Sequence, residues 1–205
     1  GITGNPGEWL QESPNLFESK GQANAVALRR ALWQKGSTSN HVFGLKFSFY
    51  EPLFSKIIAF FTALPECCGR QCSRGEVWFR VFPNGRHIVM TRRNKIRLAV
   101  SWWKAIQSGE WHRTRGVRPT MADLSEAYSF DAINHLLLES TLREAGIQAF
   151  FTEADIQPLT IVYEDFIANY CGTVKRVLGF LGLDGKHIEI PEPTLTKLAD
   201  ELSEE

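Results

Sequence analysis

The chain has 205 residues, and its 23 lysines and arginines balance 23 aspartates and glutamates, so the formal net charge is zero. Hydrophobic residues make up 43% and charged residues 22%, which is typical of a globular protein. The balance argues against a broad nucleic-acid surface but leaves a local basic pocket open. No apolar run approaches the roughly 18 residues of a membrane span, and no signal peptide is recognisable, so we expect a cytoplasmic protein.

Hydrophobic periodicity along the chain predicts alternating helices and strands, the pattern of an α/β layered domain. The predicted helices are 22–35, 52–64, 95–108, much of 124–151, 166–181 and a last helix starting within 194–205. The predicted strands are 41–49, 87–91 and 159–163, and residues 66–76 and 112–121 form irregular connections. Short apolar strands separated by helices favour a parallel sheet covered on both faces, and ligands of such sheets bind beyond the carboxyl ends of the strands.

Three of the four cysteines, Cys67, Cys68 and Cys72, lie close together in one of these connections. Zinc sites usually combine two spaced pairs of Cys or His ligands. No second pair is present here, since His87 and His112 have no ligand-like spacing. We therefore expect reduced thiols in a loop and no metal.

The corner that follows strand 87–91 has an anion-binding pattern. It reads Arg92-Arg93-Asn94-Lys95 and leads directly into helix 95–108. A helix N-terminus favours anions through its unpaired N–H groups and its dipole, and arginine supplies a planar fork for phosphate. One stripe of the helix carries the polar residues Arg97, Ser101, Lys104 and Ser108. Both arginines and Ser101 could converge on one phosphate, although a solvated basic face fits the spacing equally well.

The segment from Arg93 to Ser101, RNKIRLAVS, resembles the Arg-x7-Ser segment with which sulfotransferases hold the 3′-phosphate of 3′-phosphoadenosine 5′-phosphosulfate (PAPS). Its continuation to Trp111, SWWKAIQSGEW, is similar to the bacterial trehalose 2-sulfotransferase-type family of carbohydrate sulfotransferases. A Ser-aromatic-aromatic run, an Ala-x-Gln and a following Trp recur in that family. The resemblance implies that Arg93 and Ser101 bind the cofactor.

A second segment, GNPGEW at residues 4–9, resembles the Gly-x-Pro-x-Glu-aromatic segment of the same family. The resemblance implies that Glu8 is the catalytic base that deprotonates the acceptor hydroxyl. A carboxylate suits this task, because the hydroxyl must lose its proton as the sulfur is attacked. From residue type alone, Glu8 could also be an ordinary loop residue near an exposed terminus.

Three further residues are candidates for substrate binding. Lys46 belongs to a Gly-x-Lys segment that resembles the family, although a lysine that extends its ammonium to solvent from a strand end is the alternative. Trp111 and His112 are candidates for the acceptor pocket, because aromatic faces suit sugars, and a core Trp with exposed neighbours is the alternative. The run IVYEDF at 161–166 looks like the Tyr-Glu-Asp-Leu segment of many sulfotransferases, and we expect its role to be mainly structural.

The resemblance implies a P-loop NTPase-like three-layer α/β/α fold with a mostly parallel sheet, formed by one sulfotransferase-like domain over residues 1–205. We expect this domain to be incomplete. The family has an N-terminal strand and a donor loop rich in Ser, Thr and Gly before the position of Gly1, and it continues beyond Glu205.

The implied activity is transfer of a sulfuryl group from PAPS to a hydroxyl of a carbohydrate or glycolipid, without a metal, with a homodimer left open. Two alternatives stay open. One is a nucleotide-dependent phosphoryl transferase, with Glu164 or Asp165 as a magnesium ligand. The other is a non-catalytic remnant that keeps the fold without the donor loop.

Overall fold

The computed structural model describes residues 2–11, 17–19, 21–118, 127–183 and 188–196. The chain divides into two compact units, each described separately below. Unit 1 comprises Gly1–Gly85 and Gly146–Ile156, and unit 2 comprises Arg86–Ala145 and Gln157–Glu205. The expected single domain over 1–205 stays a prediction.

The described residues form the following elements in chain order: α1 (Gln22–Gly36), α2 (Glu51–Phe61), α3 (Arg74–Val81), β1 (Ile88–Thr91), α4 (Lys95–Ser108), β2 (Arg113–Thr114), α5 (Phe130–Glu153), β3 (Leu159–Val162), α6 (Tyr163–Ala168), α7 (Tyr170–Leu181) and β4 (Leu195–Thr196). This mixed composition with a small parallel sheet is compatible with the predicted α/β class. The three-layer arrangement stays a prediction.

An aromatic cluster around Phe54 of α2 forms the core of unit 1. The Phe54 ring centroid lies 4.6 Å from that of Phe150, 5.1 Å from Phe49 and 5.6 Å from Trp78. All four side chains are buried. Because each large ring removes much apolar surface from water, this cluster supplies unit 1 with a core built from helices and one extended segment.

Two predictions for unit 1 are wrong. Residues 41–49 do not form a strand, because the N–H groups of Gly44 and Lys46 donate to the carbonyls of Gly36 and Gly7 rather than to a ladder. Within the described residues the segment has one isolated bridge, from Phe43 to Ser37. Helix α3 was not predicted and begins inside 66–76. Its start is a capping box, in which the Ser73 hydroxyl accepts from the Glu76 N–H and the Glu76 carboxylate accepts from the Ser73 N–H.

Unit 2 contains the two short sheets of the described chain. Strands β1 and β3 pair in parallel, with Ile88 opposite Leu159 and Thr91 opposite Val162. Strands β2 and β4 pair antiparallel. The predicted strands 87–91 and 159–163 and helix 95–108 are confirmed, because their apolar runs and cap positions leave little choice of structure.

The structure differs from the sequence prediction near the C-terminal end of unit 2. The predicted helix 166–181 is two helices, α6 and α7, that meet at Asn169, whose side chain caps α7 by accepting from the Gly172 N–H. Of the helix expected within 194–205, the described residues 194–196 are not helical: Leu195 and Thr196 form strand β4 against β2, and the Thr194 carbonyl accepts from the Arg115 N–H. Residues 197–205, like 119–126, lie outside the described residues.

The cysteine cluster is consistent with the expected thiols in unit 1. The Cys67 side chain is buried and Cys68 is exposed, and both are free thiols. Burial, together with the neighbouring Cys72 thiol, raises the pKa of Cys67 to about 11. Over the described ranges, no three His, Cys, Asp or Glu side chains group as ligands for a metal ion.

Among the residues that the structure describes, no helix combines the length and apolar character needed to cross a bilayer.

Candidate active site

The parallel pairing in unit 2 places the basic corner after β1 beside the acidic start of α6. Two backbone N–H groups of the corner, those of Arg93 and Asn94, donate to the Glu164 carboxylate with N···O distances of 2.9 and 3.3 Å. The Asn94 side chain caps α4 by accepting from the Arg97 N–H at 2.9 Å. These N–H groups, which the sequence suggested would face a bound anion, are therefore satisfied by side chains of the protein.

The Arg93 guanidinium is exposed and binds a carboxylate of the same acidic segment. Its Nη2 lies 3.0 Å from each Asp165 oxygen, and the exposed fractions of the two side chains are 63% and 65%. The hydrogen bond with Asp165 is the main reason that the pKa of Arg93 is raised. Arg93 is therefore a cation that solvent, and any dissolved anion, can reach.

Arg92 is held differently from its neighbour. Its guanidinium carbon lies 4.5 Å from the centroid of the Tyr163 ring, in cation–π geometry. Its buried Nε has no hydrogen bond within the described residues and lies 4.0 Å from a Glu164 oxygen. Arg92 thus packs within the corner, whereas the Arg93 guanidinium is exposed.

Ser101 lies on the exposed side of α4, two turns after the corner. The indole N–H of Trp103 donates to the Ala127 carbonyl at 2.6 Å, and the Arg143 guanidinium lies 5.1 Å from the Trp102 ring centroid. These contacts fix the position of α4 through Trp102 and Trp103, the two residues that follow Ser101. Its hydroxyl makes no hydrogen bond within the described part of the chain, so it is available to a ligand.

A hydrogen-bonded group of three side chains at the carboxyl end of β1 was not predicted from the sequence. The Lys95 ammonium donates to both Glu144 oxygens at 2.6 Å and to the Thr91 hydroxyl at 2.7 Å, and Thr91 donates to Glu144 at 2.9 Å. The position of Thr91 and Lys95 at a strand end gave a signal. Glu144 gave none, because it lies on α5, far along the chain.

Two segments singled out separately in the sequence meet in unit 1. The Lys46 ammonium lies 2.9 Å from Glu8 Oε1, and the Ser48 hydroxyl donates to the same oxygen at 3.4 Å. The Lys46 N–H donates to the Gly7 carbonyl at 3.0 Å. The candidate base therefore has a cationic partner that the sequence proposed only as a substrate contact.

The Glu8–Lys46 pair depends on a close backbone approach at Gly4. This residue has a φ of +84°, and a Cβ there would lie 2.4 Å from the Gly44 nitrogen. No larger residue fits that space without moving the backbone. The glycine thereby lets residues 4–8 lie against 44–48.

Trp111 and His112 are both exposed in unit 2, and Trp111 keeps 60% of its surface accessible. The alternative of a core Trp is therefore wrong. The flanking residues Glu110 and Arg113 form a bidentate ion pair at 2.7 and 2.8 Å, which fixes the turn that presents Trp111. The geometry leaves an aromatic face open to solvent.

We expect Gly4→Ala to lower the free energy of unfolding by about 2–3 kcal/mol, because it adds a backbone clash to left-handed strain. The matched control is Gly69→Ala. Gly69 also has a left-handed φ, +72°, but a Cβ there meets nothing within 4 Å. This control should cost about 1 kcal/mol. Urea unfolding measures both, and equal losses would contradict the close-approach argument.

We expect Glu164→Gln to destabilise the protein at neutral pH but not in acid. Hydrogen bonding from the Arg93 N–H is the largest cause that lowers the pKa of Glu164. A lowered folded-state pKa stabilises the fold above the unfolded pKa, and this stabilisation is lost as the pH falls through the folded value. The gap between wild type and variant in urea unfolding should therefore close below the ordinary glutamate range.

The control for this pH dependence is Glu189→Gln. Glu189 is exposed in the same unit and makes no hydrogen bond or ion pair with the described residues. This substitution should leave the unfolding free energy nearly unchanged at either pH. A gap for Glu164→Gln that persists in acid would show that the ionised carboxylate does not stabilise the corner.

The chain is similar in sequence to known sulfotransferases. The trehalose 2-sulfotransferases of Mycolicibacterium smegmatis (strain ATCC 700084 / mc(2)155) and Mycobacterium tuberculosis (strain ATCC 35801 / TMC 107 / Erdman) are each 32% identical to this chain over 114 residues. The matched stretch covers 56% of this chain and 41% of each relative. The family described as Stf0 sulphotransferase matches residues 3–205, and the chain belongs to this family.

Proposed function

We propose that this protein transfers the sulfuryl group of PAPS to a hydroxyl of a carbohydrate or glycolipid. The observation that carries the proposal is the β1–α4 corner in a member of a sulfotransferase family. There, the Arg93 guanidinium and the Ser101 hydroxyl are both exposed. The two curated relatives that match 56% of this chain are named trehalose 2-sulfotransferases, which favours a carbohydrate acceptor.

The chemistry of unit 2 supports the proposed donor-binding role. Guanidinium and hydroxyl donors suit the 3′-phosphate of PAPS, which accepts hydrogen bonds from several directions. Seven residues of helix span about 10 Å, so a phosphate that touches both residues lies beside the first turns of α4, with the Arg93 side chain extended along it. Ser101 is exposed on this helix, so its hydroxyl can reach a phosphate that lies there.

The acceptor chemistry requires a base. The acceptor oxygen attacks the sulfur of PAPS, an O–S bond forms, and the bond from sulfur to the bridging oxygen of the 5′-phosphate breaks. Adenosine 3′,5′-bisphosphate leaves, and the acceptor proton passes to a carboxylate oxygen of Glu8. Lys46 and Ser48 hold this carboxylate through contacts of 2.9 and 3.4 Å. The exposed face of Trp111, with His112 beside it, suits stacking against a sugar ring.

A transfer assay tests the proposal directly. The full-length protein is incubated with sulfur-labelled PAPS and a panel of sugars and glycolipids, and labelled products are resolved by chromatography. Label on at least one carbohydrate supports the proposal. Binding of ATP in preference to adenosine 3′,5′-bisphosphate would instead favour a phosphoryl transferase. Nucleotide binding without transfer to any acceptor would favour a non-catalytic role.

We expect Arg93→Ala to weaken the binding of adenosine 3′,5′-bisphosphate by about 10- to 100-fold, because a charge-assisted contact to the 3′-phosphate is lost. Binding of adenosine 5′-phosphate, which lacks that group, should change little. The matched control is Arg115→Ala, which also removes an exposed arginine paired with a carboxylate, that of Glu192. Calorimetric titration measures all three proteins, and unchanged affinity in Arg93→Ala would refute the phosphate assignment.

We expect Glu8→Gln to lower the turnover of the full-length enzyme by roughly a hundredfold or more, because the amide cannot accept the acceptor proton. Affinity for adenosine 3′,5′-bisphosphate should stay nearly the same. Glu18→Gln, which removes another exposed acid of unit 1, serves as the charge control and should keep full turnover. Near-normal turnover of Glu8→Gln would remove this residue from the mechanism.

A further inference from the structure

Glu164 and Asp165, at the start of α6, make different contacts with the two arginines of the corner. Glu164 accepts two backbone N–H groups, at 2.9 and 3.3 Å, and lies 4.0 Å from the Arg92 side chain. Asp165 contacts the Arg93 guanidinium through both of its oxygens. The first carboxylate is therefore anchored to the main chain, and the second is bound only to a side chain.

The Arg93–Asp165 contact occupies the group that the proposed function assigns to the 3′-phosphate. Both Asp165 oxygens lie 3.0 Å from the same guanidinium nitrogen, Nη2. A phosphate that used this nitrogen would meet a carboxylate already there, and two like charges at one donor repel each other. Such a phosphate must either displace the carboxylate or leave Nη2 unused.

The contact has the properties of a pair that can exchange. About two thirds of each side chain is exposed, and ion pairs of this kind contribute little net stability, because water solvates both partners well. A phosphate group carries up to two charges and three acceptor oxygens, so it competes strongly for a guanidinium. Glu164 meanwhile keeps the corner backbone fixed, so the exchange needs no change in the fold.

We propose that Asp165 is an internal competitor for the phosphate that Arg93 binds, and that it thereby sets the affinity of the protein for 3′-phosphorylated nucleotides. This inference rests on the proposed function. In the free protein the carboxylate holds the guanidinium, and on nucleotide binding the phosphate replaces it. Asp165 is released into solvent, where its charge is hydrated at low cost.

The test is a double-substitution cycle on Asp165 and Arg93, read by calorimetric titration with adenosine 3′,5′-bisphosphate and adenosine 5′-phosphate. Asp165→Asn removes the charge but keeps the shape, and we expect it to tighten binding of the bisphosphate by about two- to fivefold. The effect on adenosine 5′-phosphate should be smaller. In an Arg93→Ala background, Asp165→Asn should have no effect, because nothing is left to compete for.

The charge-matched control is Asp131→Asn, which removes an exposed aspartate of the same unit at the start of α5. It should leave both affinities unchanged, so that a general change in net charge is separated from the local contact. Weaker or unchanged bisphosphate binding by Asp165→Asn would overturn the proposal, because Asp165 would then orient Arg93 or play no part. Tightening that persists without Arg93 would overturn it as well.

The outcomes separate this inference from the proposed function. If wild type prefers the bisphosphate, Arg93→Ala loses that preference and Asp165→Asn changes nothing, only the inference fails. If neither wild type nor Arg93→Ala distinguishes the two nucleotides, the phosphate assignment itself fails, and the competitor role fails with it.

Discussion

The register of two parallel strands is the constraint on which the rest of the unit 2 site depends. With Thr91 opposite Val162, the basic residues that follow β1 emerge beside the acidic residues that follow β3. Arg92, Arg93 and the α4 N-terminus then find their partners in Tyr163, Glu164 and Asp165. A slip by one residue would reverse the faces of the strand and separate these charges.

This juxtaposition gives the corner two classes of contact. The contacts through Glu164 involve backbone N–H groups and hold the shape of the turn. The contacts through the Arg93 side chain are exposed and exchangeable. This division favours binding. The fixed part of the loop is already ordered, so it loses little conformational entropy when a ligand binds, and the exchangeable part can contact the ligand. The zero net charge of the chain hides this arrangement, since it averages over both signs.

In unit 1, a steric constraint has the corresponding role. The close approach of Gly4 to Gly44 lets one extended segment lie along another. The N–H groups of Gly44 and Lys46 donate to the carbonyls of Gly36 and Gly7 instead of to a sheet. The apolar pattern of 41–49 is the same in either case, which is why it predicted a strand. Hydrophobic spacing reports that a segment is extended and partly buried, but it does not report where the N–H groups donate.

The sequence by itself determined β1, α4 and β3, because each has a strong apolar period and, for α4, an Asn cap that fixes its start. It also carried the local signals for α3, in its Ser-x-x-Glu box, and for family membership, in the run from Arg93 to Trp111. Only the tertiary structure decided which side chains form hydrogen bonds and ion pairs with the residues of the corner. Glu144, Glu164 and Asp165 lie some fifty to seventy residues from their partners. Contacts over such separations depend on strand register and helix placement, which no local pattern encodes.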